Sequence, residues 1–295
     1  MTDHGEVQST SPAGLEALAD LVHDGGVAVL SGAGISTESG IPDYRGPTGA
    51  ARPSSPMTYQ VFTGDPVARR RYWARSHLGW QVIARARPNA GHRAVATLQA
   101  AGVVDGVVTQ NVDGLHTAAG ATDVVELHGN LDRVVCLSCG DLSARTFLAE
   151  RLREANPDWS AEVTGINPDG DVSLPDEALD GFSVVPCVVC GGVLKPDVVF
   201  FGETVPPARV AASFALVEQA RVLLVLGSSL KVMSGHRFVL RSAKLGTPVA
   251  IVNQGETRGD PHATLKLELP LGPALQELVA AVVPVGAVGA VGASG

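Results

Sequence analysis

The four cysteines of the chain, Cys136, Cys139, Cys187 and Cys190, fall into two Cys-x-x-Cys pairs. Gly140 follows the first pair, and Gly191 and Gly192 follow the second. Each pair can therefore curl into a knuckle that turns two thiolates toward one point. Four thiolates suit a tetrahedral Zn²⁺, and a closed set leaves no coordination position for a reacting water, so such a metal is structural. Disulfides are the rival use of these residues, disfavoured in a reducing compartment. A redox dithiol would need only one such pair.

A second set of residues is suited to holding a nucleotide. Gly32-Ala33-Gly34-Ile35-Ser36 follows an apolar run, and glycines there let the main chain approach a pyrophosphate. Thr37 stands where a dinucleotide fingerprint would carry its third glycine, so alone the segment reads better as a plain strand-to-helix turn. It continues, however, into Glu38-Ser39-Gly40-Ile41-Pro42-Asp43-Tyr44-Arg45-Gly46, a polar and aromatic group unusual in a dehydrogenase. Thr109-Gln110-Asn111-Val112-Asp113-Gly114-Leu115-His116 offers amide and carboxylate groups that could bond ribose hydroxyls or a carboxamide, or merely cap a helix. Glu126-Leu127-His128-Gly129 places a histidine at the end of another apolar run, as a candidate proton acceptor. The other histidines, His4, His23, His77, His92, His116, His236 and His262, are read as structural.

These residues need elements to position them. Residues 12–24 carry apolar positions at helical spacing and stop at Gly25-Gly26. Short apolar runs at 27–30, 103–109, 124–127, 198–201, 222–226 and 249–252 read as buried strands, with helical patterns at 65–86, 92–101 and between the later strands. Strands alternating with helices imply an α/β fold with a parallel sheet covered on both faces, and ligands bind such sheets at the carboxyl ends of the strands. Residues 47–56 read as a loop and 156–182 as a polar insertion rather than core. Residues 1–11 and the stretch from Val283 are expected to be loose tails.

Composition narrows the options. With 295 residues and 45% hydrophobic side chains, the chain can bury a sizeable core and has a globular profile. A net charge of -8 argues against general nucleic-acid binding and permits lysine-bearing peptide partners. The opening residues contain no basic start with an apolar run, and no stretch is long enough to cross a bilayer, so a cytoplasmic location is expected. The excess of Arg over Lys, with abundant Ala, Gly and Val, is associated with GC-rich bacterial genomes.

Taken in order, Gly32 to Gly46, Thr109 to His116, Glu126 to Gly129, the two knuckles, Leu194 to Glu203, Gly227 to Leu230 and Val252 to Thr257 resemble the sirtuin family over roughly residues 12–280. The wording around Glu38 to Arg45 and residues 71–75 resembles its class II branch. The resemblance implies a Rossmann-like parallel-sheet lobe (12–46, 89–131, 192–283) with a smaller lobe made of a helical module (47–88) and a zinc module (132–191). NAD and an acylated lysine would meet between the lobes. It implies that Gly32, Ala33, Gly34 and Ser36 cradle the NAD phosphates. Asp43, Tyr44 and Arg45 would lie on the cofactor loop, and Gln110, Asn111, Val112 and Asp113 would hold the nicotinamide and its ribose. Gly227, Ser228, Ser229, Asn253, Gln254, Gly255 and Leu271 would bind the adenosine half, and Val198, Val199, Phe200 and Gly235 the substrate peptide. Cys136, Cys139, Cys187 and Cys190 would hold one structural Zn²⁺. His128 would be the general base, with Asn111 and Asp113 beside it. The implied reaction moves the acyl group from lysine to ADP-ribose and releases nicotinamide.

Ala50 and Arg52 fall where desuccinylating relatives carry a Tyr and an Arg, so only half of that carboxylate-binding pair is present. Alanine there leaves room for acyl chains longer than acetyl. ADP-ribosylation of protein on the same fold remains open from the sequence. A dehydrogenase and a non-catalytic zinc-ribbon module are the alternatives of other classes. The broken glycine fingerprint opposes the first, and the acidic charge with Asn111, Asp113 and His128 opposes the second.

Overall fold

The computed structural model describes residues 8–9, 12–43, 56–161, 165–166, 172–174 and 181–284. In chain order the elements are β1 (Gln8–Ser9), α1 (Pro12–Val22), β2 (Val27–Ser31), α2 (Tyr59–Gly64), α3 (Pro66–Arg85), α4 (Ala90–Ala100), β3 (Val104–Thr109), α5 (Leu115–Ala118), β4 (Val124–Glu126), β5 (Gly129–Cys136), β6 (Leu142–Ala144) and α6 (Arg145–Ala155). They continue with β7 (Gly165–Ile166), β8 (Val172–Ser173), β9 (Leu194–Val198), α7 (Pro207–Gln219), β10 (Val222–Leu226), α8 (Met233–Leu245), β11 (Val249–Val252), β12 (Leu265–Leu267) and α9 (Leu271–Val282).

Seven strands form one sheet in the order β1-β12-β11-β10-β2-β3-β4, with every described pairing parallel. All five residues of β2 and of β10 are buried, which is why these segments read as continuous apolar runs and not as alternating ones. Leu18, Val95, Leu98, Leu275 and Leu278, from α1, α4 and α9, pack on one face, and Val217, Phe238 and Val239, from α7 and α8, on the other. From β2 the chain winds outward through β3 to β4; from β10 it winds the other way through β11 to β12. The neighbouring pair β2 and β10 is therefore the topological switch point, where a crevice opens at the carboxyl ends.

A second core lies beside this sheet. The antiparallel set β6-β5-β9 packs with α3 and α6 through Phe62, Tyr72, Trp73, Leu148, Leu152 and Phe200. Rings of Phe62 and Tyr72 lie 5.1 and 5.2 Å from that of Phe200. Arg145 is fully buried here, with its guanidinium 4.9 Å from the Trp80 ring and a hydrogen bond to the Ser76 carbonyl at 3.1 Å. Helix α3 begins where expected because Asp65 accepts from Val67 N–H and Ala68 N–H, ahead of Pro66 at the first turn.

Three expectations are corrected. Gln8–Ser9, placed in a loose tail, pairs in parallel with Lys266 and Leu267, because the edge of β12 offers free main-chain groups. The stretch 156–182 is not merely a polar insertion: Val172, Leu174 and Phe182 are buried in the second core, with Trp159 packed against it. The run 198–201 is not one strand. β9 ends at Val198, and Phe200 turns inward because the aromatic cluster offers its ring more burial than the cleft does. The loop at 47–56 lies almost wholly outside the described residues, as do Tyr44, Arg45, Ala50, Arg52 and the tail beyond residue 284.

Candidate active site and metal centre

At the switch point two strand-end turns touch main chain to main chain. Gly34 N–H donates to the Gly227 carbonyl at 2.8 Å, and Gly32 N–H to the Leu226 carbonyl at 3.0 Å. A Cβ on Gly34 would stand 2.8 Å from Gly227 Cα, and Gly227 itself has φ +60°. Glycine here is demanded by packing before any ligand arrives. The crevice above is a cleft of about 1190 Å³. It is lined by Gly32, Ala33, Gly34, Ser36 and Asp43 after β2, by Gln110, Asn111, Val112 and Asp113 after β3, and by His128 before β5. Val198, Val199 and Phe200, then Gly227, Ser228 and Ser229, then Asn253, Gln254 and Gly255, and finally Leu271, complete the expected residues on it. Gly235 is not on the cleft wall; it lies against Gln110, whose Oε1 would collide with a Cβ there.

The floor of the cleft is a polar network. Asn111 Nδ2 donates to the Gly32 carbonyl and to Ser36 Oγ, both at 3.1 Å. Ser36 Oγ–H donates to Asp113 Oδ2 at 2.7 Å, and Leu115 N–H to Asp113 Oδ1 at 2.9 Å. Burial pushes the Asp113 carboxyl above its ordinary value, against those two hydrogen bonds, which favour the anion. Gln110 Nε2 donates to Ser228 Oγ at 2.8 Å and to the Ser31 carbonyl at 3.2 Å, tying the β3 turn to the β10 turn. Behind this layer Ser31 Oγ lies 2.9 Å from Thr109 Oγ1 and 2.9 Å from His116 Nε2.

His128 has a different setting. Its Nδ1 lies 2.9 Å from the Gln110 carbonyl, which can only accept, so Nδ1 carries a proton and Nε2 is the lone-pair nitrogen of the neutral ring. Nε2 lies 2.8 Å from Ser234 Oγ. Burial is the largest influence on the ring; with the cations of Arg237 and Arg209 it holds the imidazole below its ordinary value, against the pull of the Gln110 carbonyl. The ring is thus neutral at pH 7, as a proton acceptor must be. Its main chain is fixed by Val199 N–H donating to the His128 carbonyl at 2.8 Å. Gly129, next along, has φ +88° and lies against the Asp197 carbonyl, where a Cβ would collide.

The four cysteine sulfurs lie within 4.8 Å of one another. Cys136 and Cys190 sulfurs are 3.5 Å apart, and those of Cys139 and Cys187 3.9 Å. Sulfurs at about 2.3 Å from a tetrahedral Zn²⁺ would be separated by about 3.8 Å, so this donor set fits the metal. Gly140 and Gly191 take φ +74° and +73° to turn the knuckles, and Gly192 leaves room for Ser138 and Cys136. Ser138 N–H and Val189 N–H point at the Cys136 and Cys187 sulfurs, each at 3.4 Å.

Ser234 is the site residue that sequence reasoning missed. A serine near the start of a helix reads as a cap, and nothing in its local sequence marks it as facing a histidine. The cap position of α8 is in fact held by Val232.

A nucleotide-handling sheet, a histidine at its edge and a four-cysteine cluster on a smaller lobe define the class of enzyme. Residues 32–234 match the Sir2 family, and the chain belongs to that family. It is 65% identical over 261 residues, 88% of this chain and 87% of the relative, to NAD-dependent protein deacetylase 1 of Streptomyces coelicolor. It is 53% identical over 247 residues (82% and 86%) to NAD-dependent protein deacetylase 1 of Mycobacterium avium. A solved Sir2 complex with a p53 peptide and NAD⁺ matches with TM-score 0.73 at 29% identity, over 90% of this chain and 97% of that one. Sir2Tm bound to a propionylated peptide matches with TM-score 0.70 at 29% identity, over the same shares of the two chains. Among the described residues no helix is long and apolar enough to cross a membrane.

Proposed function

We propose that this protein is an NAD-dependent protein lysine deacylase that transfers the acyl group from lysine to ADP-ribose and releases nicotinamide. The observation that carries the reading is the setting of His128: one ring nitrogen is committed to the Gln110 carbonyl, and the other is a lone pair at the cleft that holds the glycine turns. The names of the relatives and the peptide and NAD⁺ in the solved neighbours support the substrate classes.

In this reading the glycine turns, whose own N–H groups bond the Leu226 and Gly227 carbonyls, let the main chain approach the pyrophosphate beside Ala33 and Ser36, while Asn111 and Asp113 fix the nicotinamide ribose. Ser228, Ser229, Asn253, Gln254, Gly255 and Leu271 hold the adenosine half, with Asp43 at the cofactor loop. Val198, Val199 and Phe200 form the wall for the acylated peptide. Once nicotinamide has left, His128 serves as the base for deprotonation of a ribose hydroxyl, so that this oxygen can attack the acyl carbon. Cys136, Cys139, Cys187 and Cys190 hold one Zn²⁺ that cross-links the small lobe and takes no part in the chemistry.

The test is purified protein with NAD⁺ and a panel of acyl-lysine peptides, read by mass spectrometry. Loss of the acyl mass that depends on NAD⁺, with nicotinamide formed in equal amount, supports the reading. Deacylation at full rate without NAD⁺, or ADP-ribose adducts in place of mass loss, overturns it.

A further inference from the structure

The side of His128 that must take a proton is already occupied, and by a group that can pass one on. Ser234 Oγ lies 2.8 Å from Nε2, and Ser234 also lines the cleft. With Nδ1 committed to the Gln110 carbonyl at 2.9 Å, Nε2 accepts, so the serine hydroxyl donates to it and keeps two lone pairs with which to accept. A hydroxyl can donate to a neutral imidazole and, by turning, accept from an imidazolium. A substrate hydroxyl in the cleft can therefore reach this base through Ser234, which lines the same cleft as His128.

The contact is built into the backbone. Gly235 packs its Cα against Gln110, and a Cβ there would collide with Gln110 Oε1. Glycine lets the first turn of α8 lie against the Gln110 side chain as it stands, whereas a Cβ would have to displace that amide. That approach brings Ser234 to the histidine whose other nitrogen the Gln110 carbonyl holds. Gln110 thus fixes both neighbours of the ring, through its main chain on one side and through its side chain against α8 on the other.

We infer that Ser234 is a catalytic relay, its hydroxyl taking the proton from the ribose hydroxyl of NAD while passing its own proton to Nε2 of His128. The step balances. The ribose O–H bond breaks and a new O–H bond forms at Ser234 Oγ; the old Oγ–H bond breaks and an N–H bond forms at Nε2. The products are a nucleophilic ribose oxygen and an imidazolium, with the serine unchanged. The helix start at Ser234 and the nearby Arg237 and Arg209 place positive charge around the ring, so the imidazolium returns its proton readily once the acyl group has moved.

This inference rests on the deacylase reading, and one set of measurements separates the two. Wild type, Ser234→Ala and Ser234→Thr are compared for NAD⁺-dependent deacylation, for nicotinamide exchange, and for the dependence of single-turnover rate on the D₂O fraction. The relay predicts a deacylation rate about 10² lower in Ser234→Ala, near the lower end of what a positioned proton-transfer group contributes. It predicts exchange within about twofold of wild type, because nicotinamide leaves before the base is needed, and roughly tenfold or greater recovery in Ser234→Thr, which keeps the hydroxyl. Two protons in flight give a curved D₂O dependence in wild type and a straight line in the alanine variant. Wild-type deacylation by Ser234→Ala, equal loss of exchange and deacylation, or a straight line for wild type each overturns the relay while leaving the deacylase reading standing. A wild type without NAD⁺-dependent deacylation overturns both.

Discussion

His128 and the pair His92 and His116 lie around the same strand ends, and they are put to opposite uses. His92 and His116 are fully buried and His128 half-buried, and loss of solvent lowers the ring value of all three: to about 3 in His92, to about 4 in His116, and in His128 by an amount that leaves it below the ordinary imidazole. The direction of the shift therefore does not single out a proton acceptor. The difference is what meets the second nitrogen. His116 Nε2 meets Ser31 Oγ, itself sealed against Thr109, and its Nδ1 is buried without a partner among the described residues. His92 sits in the capping box of α4, with Nδ1 accepting from Asn89 N–H and Nε2 3.4 Å from Ser36 Oγ; the two rings lie 5.0 Å apart. His128 Nε2 meets a hydroxyl that opens on the cleft. A base is distinguished from a core histidine by an exit for its proton.

The comparison can be broken most severely through the knuckles, which are remote from both groups. Structural zinc is worth about 10 kcal/mol or more in small metal modules, so Cys187→Ala should lose the metal and unfold the lobe carrying β5. Activity should fall below detection while the parallel sheet keeps its ellipticity, measured by metal analysis and circular dichroism on one preparation. Next in size is His128→Ala, for which deacylation should drop by about 10² to 10⁴ with the melting temperature within a few degrees of wild type. A stable His128→Ala protein that turns over normally removes this residue from the mechanism. His116→Ala should do the reverse. Truncating a buried ring and leaving Ser31 without that partner should cost about 2–4 kcal/mol of stability, with turnover per folded molecule retained.

Acid sharpens the same contrast with no substitution. His92 and His116 bind protons more weakly folded than unfolded, so protonation favours the unfolded chain. Their contribution is fully present above the unfolded value of about 6.5 and is lost as pH falls toward about 4 for His116 and about 3 for His92. The slope should be about 1.4 kcal/mol per pH unit for each ring, and denaturant midpoints across the acid range below neutrality would measure it. A wild-type midpoint that is flat across that range, or one equally steep in the His116→Ala variant, contradicts the sealed-pair description. The smallest effect belongs to Asn89→Ala, which removes the cap from α4 and the Nδ2 hydrogen bonds to Ile35 and Ser39 for about 1–2 kcal/mol in the denaturant midpoint and should leave the acid loss of stability in place.

Much of this was legible in the chain. Segments buried on both faces announce themselves as unbroken apolar runs, so 222–226 and 249–252 coincide with β10 and β11, and the knuckles needed only spacing and glycines. The cleft positions of Asn111, Asp113 and His128 followed from their place after strands. What stayed hidden depends on long-range contact. Nothing local says that Phe200 turns into an aromatic cluster, or that Val172 and Leu174 leave a polar stretch to fill the second core. Nor does anything near Gln8 and Ser9 say that they pair with β12, whose residues lie at the far end of the chain. Ser234 was the most consequential omission, because its role comes from a partner more than a hundred positions earlier.

The contact between Gly34 and Gly227 has a consequence for how such a protein can change over generations. Where these two turns meet, main chain is pressed on main chain, so the contact offers no side chain for substitution to tune, and a Cβ added at Gly34 or Gly227 would wedge the turns apart. Substitutions that change what the cleft accepts can fall instead on the side chains that line it, such as Asn253, Gln254, Leu271 and Val199.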